Sequence, residues 1–219
     1  MTGPAPMIGP VTTPAPSPSE NTPPPKPDGR RASRERNRMA VVDALLDLYA
    51  EGNLRPGADE MARRAGLSRR SVFRYFDDLD DLDRTAIARQ QDRVRHLWDI
   101  SATGEGPLPH RIEAMAQYRL KLFEAVAPAA RVSRMRAPLH RVIAQELAES
   151  RRLFARQIER QFAPELDQLE ARARSKTLAL LDVLCSFEAY DLMRTARKMS
   201  AAQVREAMAE GIRATLSRG

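Results

Sequence analysis

Between Ala58 and Phe76 the chain has little conformational freedom. Two short stretches, Ala58-Asp-Glu-Met-Ala-Arg-Arg-Ala65 and Ser68-Arg-Arg-Ser-Val-Phe-Arg-Tyr75, carry apolar residues at helical spacing, with only Gly66 and Leu67 between them. Helices joined by so short a link must turn sharply, and Gly66 sits where a positive φ costs little only for glycine. Ala62 is small where the two helices would cross. Met61, Ala65, Leu67, Val72 and Phe76 supply the apolar contacts, and Ser68 is placed to cap the second helix through its hydroxyl. The spacing predicts a compact helix-turn-helix.

The surroundings are helical too. Met39, Val42, Leu45, Leu46 and Tyr49 recur at three- and four-residue steps, which predicts a helix over 34–51 ended by Gly52. Long amphipathic helices are expected over 80–101, 109–127, 138–162, 166–198 and 201–217, with breaks at Gly104-Glu-Gly-Pro107, Pro128, Pro138 and Pro164. Ser200 and Gln203 form a capping box for the last helix, and Asp80 is the expected cap of the helix at 80. No alternating strand-type run occurs, so the expected class is all-α. Three parts follow: a disordered Pro-rich tail at 1–29, a helix-turn-helix domain with a basic N-terminal arm at 30–79, and a larger helical domain at 80–219.

The residues expected on the outer face of the second short helix are Arg69, Arg70, Ser71, Arg74 and Tyr75. Arginine pairs bidentately with guanine O6 and N7 or with phosphate, and hydroxyls reach phosphate, so the face suits a DNA major groove. Arg34 and Arg38 in the basic arm, together with Ser68, complete the expected DNA-binding set. The whole chain of 219 residues carries a formal net charge of +7, consistent with a polyanionic partner.

Residues 34–82 resemble the DNA-binding domain of the TetR family. The likeness rests on Met61-Ala62, Ala65-Gly66-Leu67-Ser68, Val72-Phe73-Arg74-Tyr75-Phe76 and the helix starting near Leu82. Three positions depart from the family pattern. Gly57 stands where a capping threonine is usual, Phe73 where a phosphate-touching tyrosine is usual, and Leu79 where a lysine is common. The resemblance implies a homodimeric transcriptional regulator on a near-palindromic double-stranded DNA operator, most often a repressor released by a small effector. It also implies a helical C-terminal domain that binds the effector and dimerises through its last two helices.

Leu178 to Met193 is apolar around nearly its whole circumference, as a helix covered on opposite sides would be. Leu181, Leu184, Val204, Met208 and Ile212 are therefore the expected dimer interface. Trp98, Met115, Phe123, Phe154 and Phe187, with Arg119 as a polar candidate, are the expected lining of a pocket for a small hydrophobic effector. An effector-independent architectural DNA-binding protein is the alternative reading.

Other chemistry finds little support. His96, His110 and His140 lack metal-ligand spacing, no phosphate-cradling glycine loop or nucleophile motif is present, and the one cysteine, Cys185, lies in an apolar helix. The expectation is a non-enzyme with no catalytic residue, metal or cofactor. No segment matches a membrane span, so a cytoplasmic protein without a membrane partner is expected.

Overall fold

The computed structural model describes residues 29–97 and 104–217. The predicted Pro-rich tail and Trp98 lie outside the described residues, apart from Gly29. Ten α-helices and no strand occur among the described residues. They are α1 Gly29–Ala50, α2 Ala58–Ala65, α3 Arg69–Tyr75, α4 Leu79–Arg93, α5 Leu108–Arg136, α6 Arg141–Gln161, α7 Ala163–Leu166, α8 Ala171–Leu184, α9 Phe187–Asp191 and α10 Ala201–Leu216.

The small N-terminal core forms around α1. Val41, Val42, Leu45, Leu46, Leu48 and Tyr49 are buried against Met61 and Ala62 of α2, Val72 and Tyr75 of α3, and Leu82 and Ala86 of α4. At about 1.5–3 kcal/mol for each fully buried large apolar side chain, this cluster is the main support of three short helices. Ion pairs tie α4 back onto α1: the Arg89 guanidinium donates to Asp43 at 2.8 and 2.9 Å, and Arg93 bridges Asp43 and Asp47. The helix begins at Gly29, so the expected basic arm forms the opening turns of α1.

The C-terminal unit packs α5, α6, α8 and α10 around Ile112, Met115, Ile158, Phe162, Leu181, Met208 and Ile212. Gly211 allows α10 to approach α8 closely, since a Cβ there would stand 3.1 Å from a Leu184 methyl carbon. A second cluster joins α5 to α9 through Leu122, Phe123, Phe187 and Tyr190.

Local signals hold at several boundaries. Gly66 has φ +67°, Ser68 caps α3 by accepting from the Ser71 amide, and Ser200 and Gln203 form the reciprocal capping box of α10. Four expectations are corrected. Asp78, not Asp80, caps α4, its carboxylate accepting from the Asp81 amide at 2.7 Å. The helix ends at Arg93, followed by a 3-10 turn over Arg95–Leu97. Helix α5 runs through Pro128, because buried Leu122, Phe123, Ala127 and Val132 on either side hold it in line.

The fourth correction concerns the long helix expected over 166–198, which is divided. Ser186 donates to the Val183 carbonyl at 2.7 Å and accepts from the Ala189 amide at 3.1 Å, closing one helix and opening the next. The circumferential apolarity of this stretch is thus distributed over two helices. Leu181, Val204, Met208 and Ile212 are fully enclosed within this chain, so they form its own core and cannot serve as a subunit surface. Leu184 alone of the expected interface set remains partly exposed.

Candidate nucleic-acid interface and internal cavity

The crossing of α2 and α3 leaves the outer face of α3 open. Ser68, Arg69, Arg70 and Arg74 are exposed and Ser71 is half-buried. Ser68 and Ser71 hydroxyls lie 2.9 Å apart, and Arg69 makes an exposed ion pair with Asp59 at 3.1 Å. Arg70 takes part in no ion pair with a described residue, and Arg74 lies over the Tyr75 ring at 5.5 Å. Arg63 of α2 is also exposed.

Two residues expected on the DNA face instead hold it together. Tyr75 is 7% exposed, and its hydroxyl accepts from the Asn37 side-chain amide at 2.9 Å, tying α3 to α1. Arg38 donates to Asp81 at 2.5 Å and to Thr85 at 2.7 Å, and lies 5.2 Å from the Phe76 ring centroid. Its reach is spent inside the small domain. Arg34 stays exposed, in an open groove that also contains Arg30 and Arg31. Phe73, 64% exposed on α3, and Leu79, 62% exposed at the start of α4, put apolar surface where the family pattern has polar groups.

A cavity of about 150 Å³ lies where the small domain meets the larger one. Its walls come from Leu46 and Tyr49 of α1, Ala86, Ile87 and Gln90 of α4, Leu122, Phe123, Val126 and Ala130 of α5, Ile143, Leu147 and Phe154 of α6, and Phe187 of α9. Of the expected pocket residues, Phe123, Phe154 and Phe187 are brought together here. Met115 is sealed in the neighbouring core and does not line the cavity, and neither does Arg119. The contributions of α1 and α4 had no distinctive sequence signal, because these residues belong to the same apolar stripes that fill the small core.

Arg119 lies behind the aromatic wall, fully buried. Its guanidinium is 4.5 Å from the Phe154 ring centroid and donates to the Phe154 carbonyl and the Gln157 side-chain oxygen, each at 3.0 Å, while Nε has no partner. Burial lowers its pKa. Beside the cavity, Asp83 is 3% exposed and receives both arms of Arg136 at 2.7 and 2.8 Å, linking α4 to the end of α5. Asp80, Asp83 and His140 place potential metal ligands within 4.8 Å of one another, but both Asp83 oxygens are taken by Arg136. Cys185 is buried, which pushes its thiol up to about 12 and leaves it a packing residue at neutral pH.

Solved structures share this architecture. A TetR-family transcriptional regulator from Streptomyces coelicolor superposes with a TM-score of 0.65 at 20% identity, over 84% of this chain and 82% of that one. A transcriptional regulator from Rhodococcus sp. Rha1 gives a TM-score of 0.63 at 17% identity, over 85% and 97% of the two chains. A putative transcriptional regulator from Streptomyces coelicolor A3(2) gives 0.56 at 24% identity, over 81% and 98%. No family model and no curated protein matches the sequence. The fold defined by these likenesses is all-helical, and it is shared with solved transcriptional regulators, one of them of the TetR family.

The α5, α6 and α9 walls of the cavity are fastened by Glu188, which accepts from Arg134 at 3.1 Å and Arg151 at 2.6 Å. Burial pushes the Glu188 carboxyl up, but the two guanidiniums outweigh it and bring the pKa down to about 2. A carboxyl more acidic in the folded chain contributes stability that is complete above the ordinary value of 4.5 and drains away as pH falls toward 2. Thermal unfolding should therefore show Glu188→Gln melting below the parent chain at neutral pH, with the gap closing as the medium is acidified through that window. A gap independent of pH would contradict the ion-pair assignment.

Proposed function

We propose that the chain is a sequence-specific DNA-binding transcriptional regulator that acts as a homodimer. The observation that carries this reading is the Ser68-capped α3, held from behind by Val72, Tyr75 and Phe76 while Arg70 and Arg74 face solvent. Such a helix can enter a major groove with its arginines at base edges, while Arg34 and neighbouring arginines of α1 meet backbone phosphate. The division at 30–79 and 80–219 is proposed as DNA-binding and regulatory, with α4 shared between them through its contacts.

Two copies give two recognition helices, which read a near-palindrome when spaced by about one DNA turn of ~34 Å. The surface proposed for pairing is the outer face of α8, where Leu180 and Val183 are 56% and 65% exposed and Leu184 is half-buried. Leu192, just beyond α9, is also exposed at 58%. The cavity supports the regulatory half of the proposal. A small effector there touches α1 and α4 directly, and one that fits a single arrangement of the domains shifts the population and releases DNA. Repression relieved by ligand is the form of regulation proposed.

Selection of DNA sites from a random pool by the purified protein tests the reading. A palindrome should be enriched and retained when the salt is raised. Arg70→Ala and Arg74→Ala should each weaken binding to it by about 1–3 kcal/mol without altering the fold. Uniform retention of all sequences that vanishes with salt would favour an architectural DNA-binding protein instead. For assembly, Leu180→Glu combined with Val183→Glu should yield a helical monomer in sedimentation. Met208→Ala should instead lower subunit stability by about 2–5 kcal/mol. A double variant that remains dimeric would move the interface elsewhere.

A further inference from the structure

The cavity's chemistry narrows what it can hold, taking its reading as an effector site as given. A volume of about 150 Å³ matches one six-membered ring, since an apolar cavity of roughly that size accepts benzene. Phe123 stands edge-on to Phe154 and Phe187, with ring centroids 5.8 and 5.6 Å away and interplanar angles of 76° and 90°. This aromatic corner suits a flat apolar ring.

The surrounding charge determines the substituent. The Arg134 guanidinium lies 4.1 Å from the Phe187 centroid and that of Arg119 4.5 Å from the Phe154 centroid, so cations already occupy these aromatic faces. Another cation in the cavity would meet them as like charges. The negative groups are committed: Asp83 to Arg136, and Glu188 to both Arg134 and Arg151. Glu146 at the wall receives a hydrogen bond from Gln91, and burial together with Glu149 raises its pKa. Two rim arginines thus share one carboxylate, while buried Arg119 donates its hydrogen bonds only to neutral oxygens, with Asp182 acting on it through space. In a low-dielectric site this imbalance favours an anion.

We infer that the cavity takes a small monocyclic aromatic carboxylate, its ring among Phe123, Phe154 and Phe187 and its carboxylate toward Arg134 and Arg151. Arg151, more than half exposed, and Arg134 can turn toward such a group while Glu188 remains shared between them. Arg119 acts from behind the aromatic wall, its buried charge stabilising the anion without touching it.

Calorimetric titration of the full chain, without DNA, with benzoate, benzamide and benzylamine tests this inference. Benzoate should bind about ten-fold or more tighter than benzamide, a difference of about 1.4 kcal/mol, and benzylamine should not bind. Arg151→Gln and Arg119→Met should each weaken benzoate several-fold and leave benzamide unchanged. Ala130→Leu, which fills the cavity, should abolish benzoate binding while the protein stays folded. Equal affinity for benzoate and benzamide, a preference for benzylamine, no heat with any of the three, or benzoate binding that survives Ala130→Leu would each overturn the inference. Site selection on DNA is independent of all these outcomes, so failure here and failure of the regulator reading are separable.

Discussion

The burial of α1 is the constraint on which the rest of the structure depends. Its middle turns place Val41 and Val42 out of reach of solvent, with Leu45, Leu46, Leu48 and Tyr49 nearly so. A helix covered this completely must be packed from several directions. The helix-turn-helix covers it on one side, α4 on another, and the end of α5 reaches the same core through Val132. Helix α3 is too short to be stable alone, so its orientation is set by how Val72, Tyr75 and Phe76 seat on α1. Anything that moves α1 moves the arginines of α3.

The same helix forms part of the cavity wall. Leu46 and Tyr49 serve the core of the helix-turn-helix and the cavity at once. Beside them, the ion pair of Asp83 with Arg136 joins α4 to α5 with both carboxylate oxygens engaged. Separating the pair would strand a buried charge, so α4 and the end of α5 move together or not at all. Under the proposed function, an occupant of the cavity would act on the helix-turn-helix through packed side chains and one ion pair, with no long relay. The arrangement is economical for a switch, since the ligand needs to favour only one of two packings.

The parts legible in the sequence were those fixed by a few neighbouring residues. Gly66, the Ser68 cap and the Ser200–Gln203 box depend on local backbone geometry and hydrogen-bonding groups within three residues. Pro128 misled because a local breaker can be overridden by long-range packing, here by the buried residues on either side of it. Ser186 misled in the opposite sense, since a serine can sit within a helix or end one, and its neighbours decide which. Periodicity identifies an apolar face but not what covers it, which is why Leu181 and Met208 read as interface while Leu180 and Val183 carry the open surface. Tyr75 and Arg38 have the composition of DNA contacts, yet Asn37 and Asp81 claim their polar atoms. A cavity is a mismatch among side chains from five helices and leaves no trace in the pattern of any one of them.

The central claim, that the chain meets DNA through α3 and the start of α1, can be tested at single-residue level. Arginine modification by phenylglyoxal, read by mass spectrometry with and without the selected DNA site, reports which guanidiniums become covered. Arg70 and Arg74 on α3 and Arg34 on α1 should be protected, with Arg160 and Arg172 on α6 and α8 unchanged. Protection centred on α6 and α8, with Arg70 and Arg74 as reactive as before, would contradict the claim.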